Sequence, residues 1–146
     1  MDEIIKLLDH HLDYVNHEII ENTMYISVES NREKVRCPHC NNLSTKIHSR
    51  YNKSFQDLPI QGMKVVIVLI NRKYFCKNIK CDYTTFAETF DFIGKKSKKT
   101  KRLEKEIINL ATNVSSVAAS KFLSKNVVNI GKSTICELLK KNANCQ

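Results

Sequence analysis

The sequence lacks tryptophan and contains only three glycines and two prolines among its 146 residues. This scarcity, together with 42% hydrophobic and 27% charged residues, excludes a collagen-like chain and a fully disordered one. The longest apolar run, Val65 to Ile70, is far shorter than the roughly 20 residues that a membrane-spanning helix needs. The acidic start Met1-Asp2-Glu3 is unlike a basic secretory signal. We therefore expect a cytoplasmic protein of one ordinary domain or two small ones, with no membrane partner.

Acidic residues are scarce over most of the chain. Residues 34–146 hold 22 bases and seven acids, whereas residues 1–33 hold eight acids and two bases. The formal net charge of +9 therefore divides into −6 for the first segment and +15 for the remainder. Such a basic body favours nucleic acid as a partner, because bound lysines and arginines release the counterions that condense on phosphates. Solubility alone is the alternative explanation.

Hydrophobic periodicity and composition divide the chain into four consecutive parts. We predict an acidic helix and strand over 1–33, a cysteine-containing β module over 34–93, a solvated basic linker over 94–102 and a helical module over 103–146. The N-terminal helix is expected to span 2–16 and to be followed by a strand at 23–29. Inside the β module we expect a buried strand at 63–70 and a second strand at Tyr74-Phe75. Three short C-terminal helices are indicated by the apolar faces Leu103, Ile107, Leu110, Ala111 and Val114; Val117, Ala118, Phe122 and Leu123; and Ile135, Leu138 and Leu139.

Four of the six cysteines form two close pairs. Cys37 and Cys40 are separated by Pro38 and His39, and Cys76 and Cys81 by four residues. Two cysteines on a tight turn can reach one metal ion, and two such turns complete the thiolate tetrahedron that zinc accepts in structural sites. Disulfides would need an oxidising compartment, and a redox-active pair would not explain the second pair. We therefore predict one structural Zn²⁺ held by Cys37, Cys40, Cys76 and Cys81.

The other cysteines and the nearby histidines are not needed as ligands. His39 and His48 are alternative donors, but four thiolates already saturate the metal, so we expect His39 to point outward. Cys136 and Cys145 have no close partner in the sequence and are predicted to be an apolar helix residue and a tail thiol. The expected fold class is therefore α+β, with a zinc-ribbon-like antiparallel module followed by a three-helix helix-turn-helix module.

The C-terminal pattern suits a helix-turn-helix unit. Ala118 and Ala119 permit close helix packing, and Lys132-Ser133-Thr134 opens the third helix, where the first residues would contact base edges and the lysines phosphates. A plain helical bundle with a solvated lysine face is the alternative. The basic linker favours DNA, since it can follow the backbone or enter a minor groove, and the ribbon strands carry a mixture of basic and aromatic residues. The predicted DNA-binding residues are Arg50, Arg72, Lys73, Lys95, Lys96, Lys98, Lys99, Lys101, Arg102, Lys132, Ser133, Thr134 and Lys140.

Several segments, taken in order, resemble the N-terminal region of bacterial insertion-sequence transposases of the ISL-three family. The resemblance covers roughly residues 20–141, with Asn41 where the family usually has glycine and Lys73 where it has the second of two arginines. The segments that carry it are Cys37-Pro38-His39-Cys40, His48-Ser49-Arg50-Tyr51, Asp57-Leu58-Pro59-Ile60-Gln61-Gly62, Arg72-Lys73-Tyr74-Phe75-Cys76, Asn78, Cys81, Thr85-Phe86-Ala87-Glu88, Ala118-Ala119 and Ser133-Thr134.

The resemblance implies a zinc-binding module and a helix-turn-helix that recognise double-stranded DNA at the inverted repeats of a transposon. In that family an RNase H-like catalytic domain follows, and we expect this chain to be the DNA-binding part without it and hence not an enzyme. Homodimers or a full-length transposase would be its protein partners, and a bacterial, nucleoid-associated location is implied. Two alternatives remain open: a protein-interaction or regulatory module, such as a truncated transposase acting as an inhibitor, and an RNA-binding ribbon.

Overall fold

The computed structural model describes residues 1–144, apart from the side chains of Asn126, Ala143 and Asn144, so that Cys145 lies outside the described residues. Within them the chain has an α+β architecture, as predicted, and none of the described helices is long and apolar enough to cross a membrane. The elements in chain order are α1 (Asp2–Leu8), β1 (Leu12–Ile20), β2 (Thr23–Ser30), β3 (Val35–Arg36), β4 (Leu43–Ser44), β5 (Ile47–Ile60), β6 (Met63–Phe75), β7 (Thr85–Ala87), α2 (Lys101–Ala111), α3 (Ser116–Asn126) and α4 (Lys132–Asn144).

Strand pairing follows the order β1-β2-β6-β5, and β7 pairs antiparallel with the end of β6. β3 and β4 form a separate antiparallel hairpin in which Val35 faces Ser44. Gln61 and Gly62 connect β5 to β6 and both have positive φ, 49° and 77°. A two-residue turn with this backbone matches the twist of the strands it joins.

The predicted N-terminal helix over 2–16 was wrong beyond Leu8. Asp9 is extended, with φ −159° and ψ 127°, and the chain continues into β1. Glu21 and Asn22, at φ 48° and 64°, then turn β1 back onto β2. Pairing with β2 satisfies the backbone groups along one side of β1, and this long-range gain outweighs a helical spacing of apolar residues that exists only locally.

The strand predictions for the middle of the chain were correct in position. β2 contains the predicted strand at 23–29, and β6 contains the predicted strand at 63–70. β6 buries alternate residues, including Val65, Ile67 and Leu69, as expected for a strand whose one face lies on a core. Tyr74-Phe75, however, are the end of β6 and not a second strand, because no turn interrupts the pairing.

By internal packing the chain divides into two compact units. One comprises Met1–Asn16, Ser27–Ser54 and Val68–Asp91, and the other His17–Ile26, Phe55–Ile67 and the chain from Phe92 onward. The first unit contains the β3–β4 hairpin and β7, and the second contains α2, α3 and α4. These units alternate along the chain, whereas the modules predicted from the sequence are consecutive segments, whose boundaries stay a prediction.

The three helices predicted at the C-terminal end are present and share one apolar core. Thr100 and Ser115 cap α2 and α3, each accepting a hydrogen bond from a backbone N–H three residues on. The buried residues of this core are Leu103, Ile107, Ala111, Ala119, Leu123, Val128, Ile130, Ile135 and Leu138.

Two of the predicted apolar faces differ from the observed ones. Val114 follows the end of α2 and is 42% exposed. Val117 and Phe122 are 47% and 54% exposed, and Ala118 is exposed as well. The reason is rotational: α3 buries Ala119 and Leu123, four residues apart, and this pair turns the other apolar residues of the helix away from the core.

Candidate metal centre and lysine groove

The first cysteine pair lies on the β3–β4 hairpin. The backbone N–H of Cys37 donates to the Asn42 carbonyl at 2.9 Å, and the N–H of Asn41 donates back to the Cys37 carbonyl at 2.8 Å. Asn41 closes this turn with φ 64°, in the left-handed region. Asparagine adopts that region more readily than other residues with a side chain, so it can replace the glycine usual in the resembled family.

The second pair follows the end of β6. The N–H of Cys76 donates to the Thr84 carbonyl at 2.9 Å, and the N–H of Cys81 donates to the Asn78 carbonyl at 3.0 Å. These bonds fold residues 76–84 into a compact loop. The pairing of β7 with the end of β6 holds both ends of the loop close together.

The two turns bring four sulfur atoms together. The Sγ atoms of Cys37, Cys40, Cys76 and Cys81 all lie within 4.8 Å of one another. Cys40 and Cys76 are 3.5 Å apart, and Cys37 and Cys81 are 4.0 Å apart. Zn–S bonds of about 2.3 Å place the sulfurs of a tetrahedral site about 3.8 Å apart. The donor set and its spacing therefore fit one structural zinc ion.

Backbone N–H groups around the sulfurs favour the thiolate form, but four thiolates at this spacing would repel one another. The N–H of Asn42 lowers the pKa of the Cys40 thiol to about 7. The N–H of Asn78 acts on Cys76 in the same direction, but burial and the neighbouring thiols outweigh it and raise the pKa of Cys76 to about 12. Close like-charged groups do not ionise together without compensation. A divalent cation supplies that compensation, because zinc binding displaces the thiol protons.

The two histidines considered as ligands lie outside the sulfur cluster. His39 is exposed and stacks on Tyr83, with ring centroids 3.5 Å apart and planes at 13°. Its outward orientation agrees with the sequence expectation. His48 contacts the Ser49 hydroxyl at 2.9 Å and the edge of Phe75. Sequence reasoning overlooked Tyr83, whose position two residues after Cys81 was the available signal.

The arginine and lysine residues predicted on the ribbon strands have different surroundings. Arg50 and Lys73 are exposed. Arg72 is half-buried: its guanidinium donates to the Ser30 carbonyl and, at 3.1 Å, to the Tyr74 hydroxyl. Tyr74 is 1% exposed and packs within the apolar cluster that also contains Cys37. The charge of Arg72 is thus used inside the fold, and its contact with DNA stays a prediction.

A second feature, here called the lysine groove, lies in the helical unit. Its volume is about 540 Å³, and residues of the predicted basic linker form one part of its wall while one side of α4 forms another. The lining residues are Lys95, Lys96, Ser97, Lys98, Lys99, Glu104, Thr134, Glu137, Leu138, Lys140 and Lys141. The structure thus brings six of the predicted DNA-binding residues together. Glu137, which is not among the predicted contacts, also lines the groove.

The other predicted contacts of this region lie outside the groove lining. Lys132 and Ser133 are exposed at the start of α4, and Lys101 is exposed at the start of α2. Arg102 is paired with Asp57, whose carboxylate accepts from its Nε at 2.8 Å and from its Nη2. Asp57 is 2% exposed.

The end of the basic linker is fixed to β5. The N–H of Gln56 donates to the Lys98 carbonyl at 2.9 Å, and the N–H of Thr100 donates to the Gln56 carbonyl at 3.0 Å. The Thr100 hydroxyl also donates to Asp57 at 2.7 Å. Residues 98–102 therefore have a defined position in the helical unit, whereas the sequence predicted a solvated linker.

Comparison with known families identifies the cysteine-bearing segment. Residues 33–81 match the family model described as the zinc-finger of transposase IS204/IS1001/IS1096/IS1165, of the ISL3 type. This match covers about a third of the chain. Comparison with curated proteins and with solved structures gives no match. The match confirms the predicted resemblance over 33–81 and, with the sulfur geometry, the prediction of one structural zinc.

Proposed function

We propose that this chain is a zinc-stabilised DNA-binding module that recognises the ends of a transposon. The observation that carries the proposal is the lysine groove, which is lined by four lysines of the basic linker and two lysines of α4. Groups of like charge at this density favour a polyanion, because phosphate contacts release condensed counterions. The transposase zinc-finger match over residues 33–81 favours transposon DNA among polyanions.

The arrangement of α3 and α4 supports a helix-turn-helix within this proposal. Five residues, 127–131, connect the two helices, and Val128 and Ile130 are buried in the shared core. The hydroxyls of Ser120 and Ser124 both donate to the Ile130 carbonyl, at 2.9 and 3.0 Å, and so hold the connection against α3. α4 would then be the helix that enters the major groove, with Lys132 and Ser133 at its leading end.

In this proposal the metal centre has a structural and not a catalytic role. Four thiolates fill the coordination sphere of a tetrahedral zinc, so they leave no position for water or substrate. The ion would join the β3–β4 hairpin to the loop after β6, and 35 residues separate Cys40 from Cys76 in the sequence. Arg50 and Lys73 on this unit are exposed and would add phosphate contacts.

A salt titration of DNA binding tests the electrostatic part. The zinc-loaded full chain is titrated with a labelled duplex at several salt concentrations, beside a variant in which Lys95, Lys96, Lys98 and Lys99 are changed to glutamine. We expect the variant to lose affinity for every duplex and to lower the salt slope by about three to four, since each phosphate contact contributes about 0.9.

The matched control changes four exposed lysines of the other unit, Lys34, Lys53, Lys77 and Lys80, to glutamine and so removes the same charge. We expect it to retain most of the slope. If both variants lost the same affinity and the same salt slope, net charge alone would explain DNA binding, and the lysine groove would have no special role. A wild-type affinity that is independent of salt would refute the proposal.

A second candidate is favoured by the surface of the acidic N-terminal segment. Along β1 and its turn, Ile19 and Ile20 are 54% and 48% exposed beside Glu18 and Glu21. Apolar side chains among acids suit a protein partner, for example a full-length transposase that this chain would inhibit. Gel filtration with and without duplex DNA separates the two proposals. A tight dimer that ignores DNA favours the second.

A further inference from the structure

α4 carries a single acid, Glu137, and places it on the exposed side of the helix. Ile135 is fully buried and Leu138 nearly so, whereas Ser133, Glu137 and Lys140 are exposed. Residues three and four apart on a helix lie side by side, so these three exposed residues form one stripe. Glu137 is therefore at the centre of the surface that α4 offers to a ligand.

The charge of Glu137 opposes phosphate binding in a groove whose other charges favour it. Glu137 lines the lysine groove together with six lysines. Among the residues whose side chains the structure describes, it nevertheless forms no ion pair or hydrogen bond, although Lys140 and Lys141 follow in the next turn. The other acid of the groove, Glu104, accepts a hydrogen bond from the Ser97 hydroxyl at 2.6 Å. Glu137 thus has an exposed carboxylate with its acceptor capacity unused.

The chemistry of DNA limits what such a carboxylate can bind. Phosphates repel it, and so do the acceptor atoms that the bases present in the major groove. Two base amino groups can donate to it there, N4 of cytosine and N6 of adenine, but adenine presents the acceptor N7 beside its amino group and cytosine does not. The amino group at N4 of cytosine is the base-edge donor that glutamate and aspartate recognise. Glu137 lies one turn after Ser133, in the first half of the helix, which is the part of such helices that contacts base edges.

We infer that Glu137 is a specificity-determining residue that accepts a hydrogen bond from a cytosine amino group in the major groove. The inference rests on the DNA-binding function proposed above. In this inference the lysines of the groove contact the phosphate backbone of DNA, and Glu137 contacts a base. Glu137 would then weaken binding to DNA in general and favour those duplexes in which a hydrogen bond from cytosine offsets the repulsion by the phosphates.

Selection from a randomised duplex library tests the inference, with the zinc-loaded full chain and three variants in parallel. Glu137→Ala removes the acceptor, and Glu137→Gln replaces it with an amide that pairs with adenine. Glu106→Gln is the matched control, because Glu106 is an exposed acid on α2 that does not line the groove. Each variant is first checked for unchanged zinc content and helical circular dichroism, which these exposed positions should preserve.

We expect the wild-type motif to contain a cytosine position at which any other base lowers affinity at least about fivefold, the lower end for one good base contact. Glu137→Ala should lose the preference at that position alone, Glu137→Gln should shift it to adenine, and Glu106→Gln should keep it. If Glu137→Ala and Glu106→Gln both raise affinity equally for all duplexes and leave the motif intact, the inference is overturned while DNA binding stands. If the wild type binds no duplex even at low salt, the proposed function fails and the inference with it.

Discussion

The pair of Asp57 and Arg102 provides the sharpest stability test, because its two members differ in burial. The Asp57 side chain is 2% exposed and that of Arg102 is 34% exposed. The carboxylate accepts hydrogen bonds from Arg102 through two nitrogens and from the Thr100 hydroxyl. Removing Arg102 leaves a buried negative charge with one hydroxyl as partner. Removing the charge of Asp57 leaves a guanidinium that can still reach water.

The asymmetry sets the expected order of the two changes. Breaking a buried ion pair from one side costs about 3–5 kcal/mol when the remaining charge has no access to solvent. We expect Arg102→Met to approach the lower part of that range, about 3 kcal/mol. Asp57→Asn should cost about 2 kcal/mol, because the Arg102 side chain is 34% exposed and water screens the charge that is left unpaired. A loss of 3 kcal/mol corresponds to a fall in melting temperature of about 10 °C in a chain of this size.

Urea unfolding of the zinc-loaded protein, followed by far-ultraviolet circular dichroism, measures both values. The double variant should be less destabilised than the sum of the singles, since one interaction is lost only once. The pair of Lys6 and Asp13 is the matched control, because both side chains are partly exposed, at 34% and 47%; Asp13→Asn should cost no more than about 1 kcal/mol. Additive losses for Asp57→Asn and Arg102→Met, or a larger loss for Asp57→Asn, would refute the reasoning from burial.

Two further outcomes are expected. Native mass spectrometry should find one zinc per chain. The zinc should be lost in Cys76→Ser and retained in Cys136→Ser and His39→Ala, because only the first change affects the sulfur cluster. Zinc retained in Cys76→Ser would contradict the assignment of the ligands. Ile135→Ala should destabilise the helical unit by about 2–5 kcal/mol, since Ile135 is fully buried, whereas Val117→Ala, at a site 47% exposed, should cost less than about 1 kcal/mol; equal losses in urea unfolding would contradict the helical core.

The metal centre could be predicted from the sequence because its geometry is largely local. Cys37 and Cys40 are close enough in the chain that one turn brings both sulfurs to the same side, and the loop from Cys76 to Cys81 does the same. Only the meeting of the two turns requires the fold. A shared metal explains that meeting with no knowledge of the strands between them.

The N-terminal segment could not be predicted in the same way. Leu12 and Val15 fit the spacing of a helix begun at Ile4, and the segment has no glycine or proline to end that helix. What decides the outcome is the pairing of β1 with β2 across Glu21 and Asn22, a turn of which only the asparagine gives a signal. Strand formation depends on partners, so a single segment carries less information about it than about a helix.

The acids of the basic body show what a charge count alone leaves out of the predicted DNA contacts, which themselves stay a prediction. A charge count treats Arg72 and Arg102 like exposed lysines, but the pairing of Arg102 with Asp57 joins residues 45 positions apart and is visible only in the fold. The same count treats Glu137 as a reduction of the basic charge. Asp57 is paired with Arg102, and Glu104 accepts a hydrogen bond from Ser97. Glu137 is the acid of the groove that has no such partner among the described residues. A charge asymmetry in the sequence therefore predicts only the class of partner, a polyanion. The proposal that Glu137 contacts a base needs the structure as well, because only the structure places the few acids among the lysines.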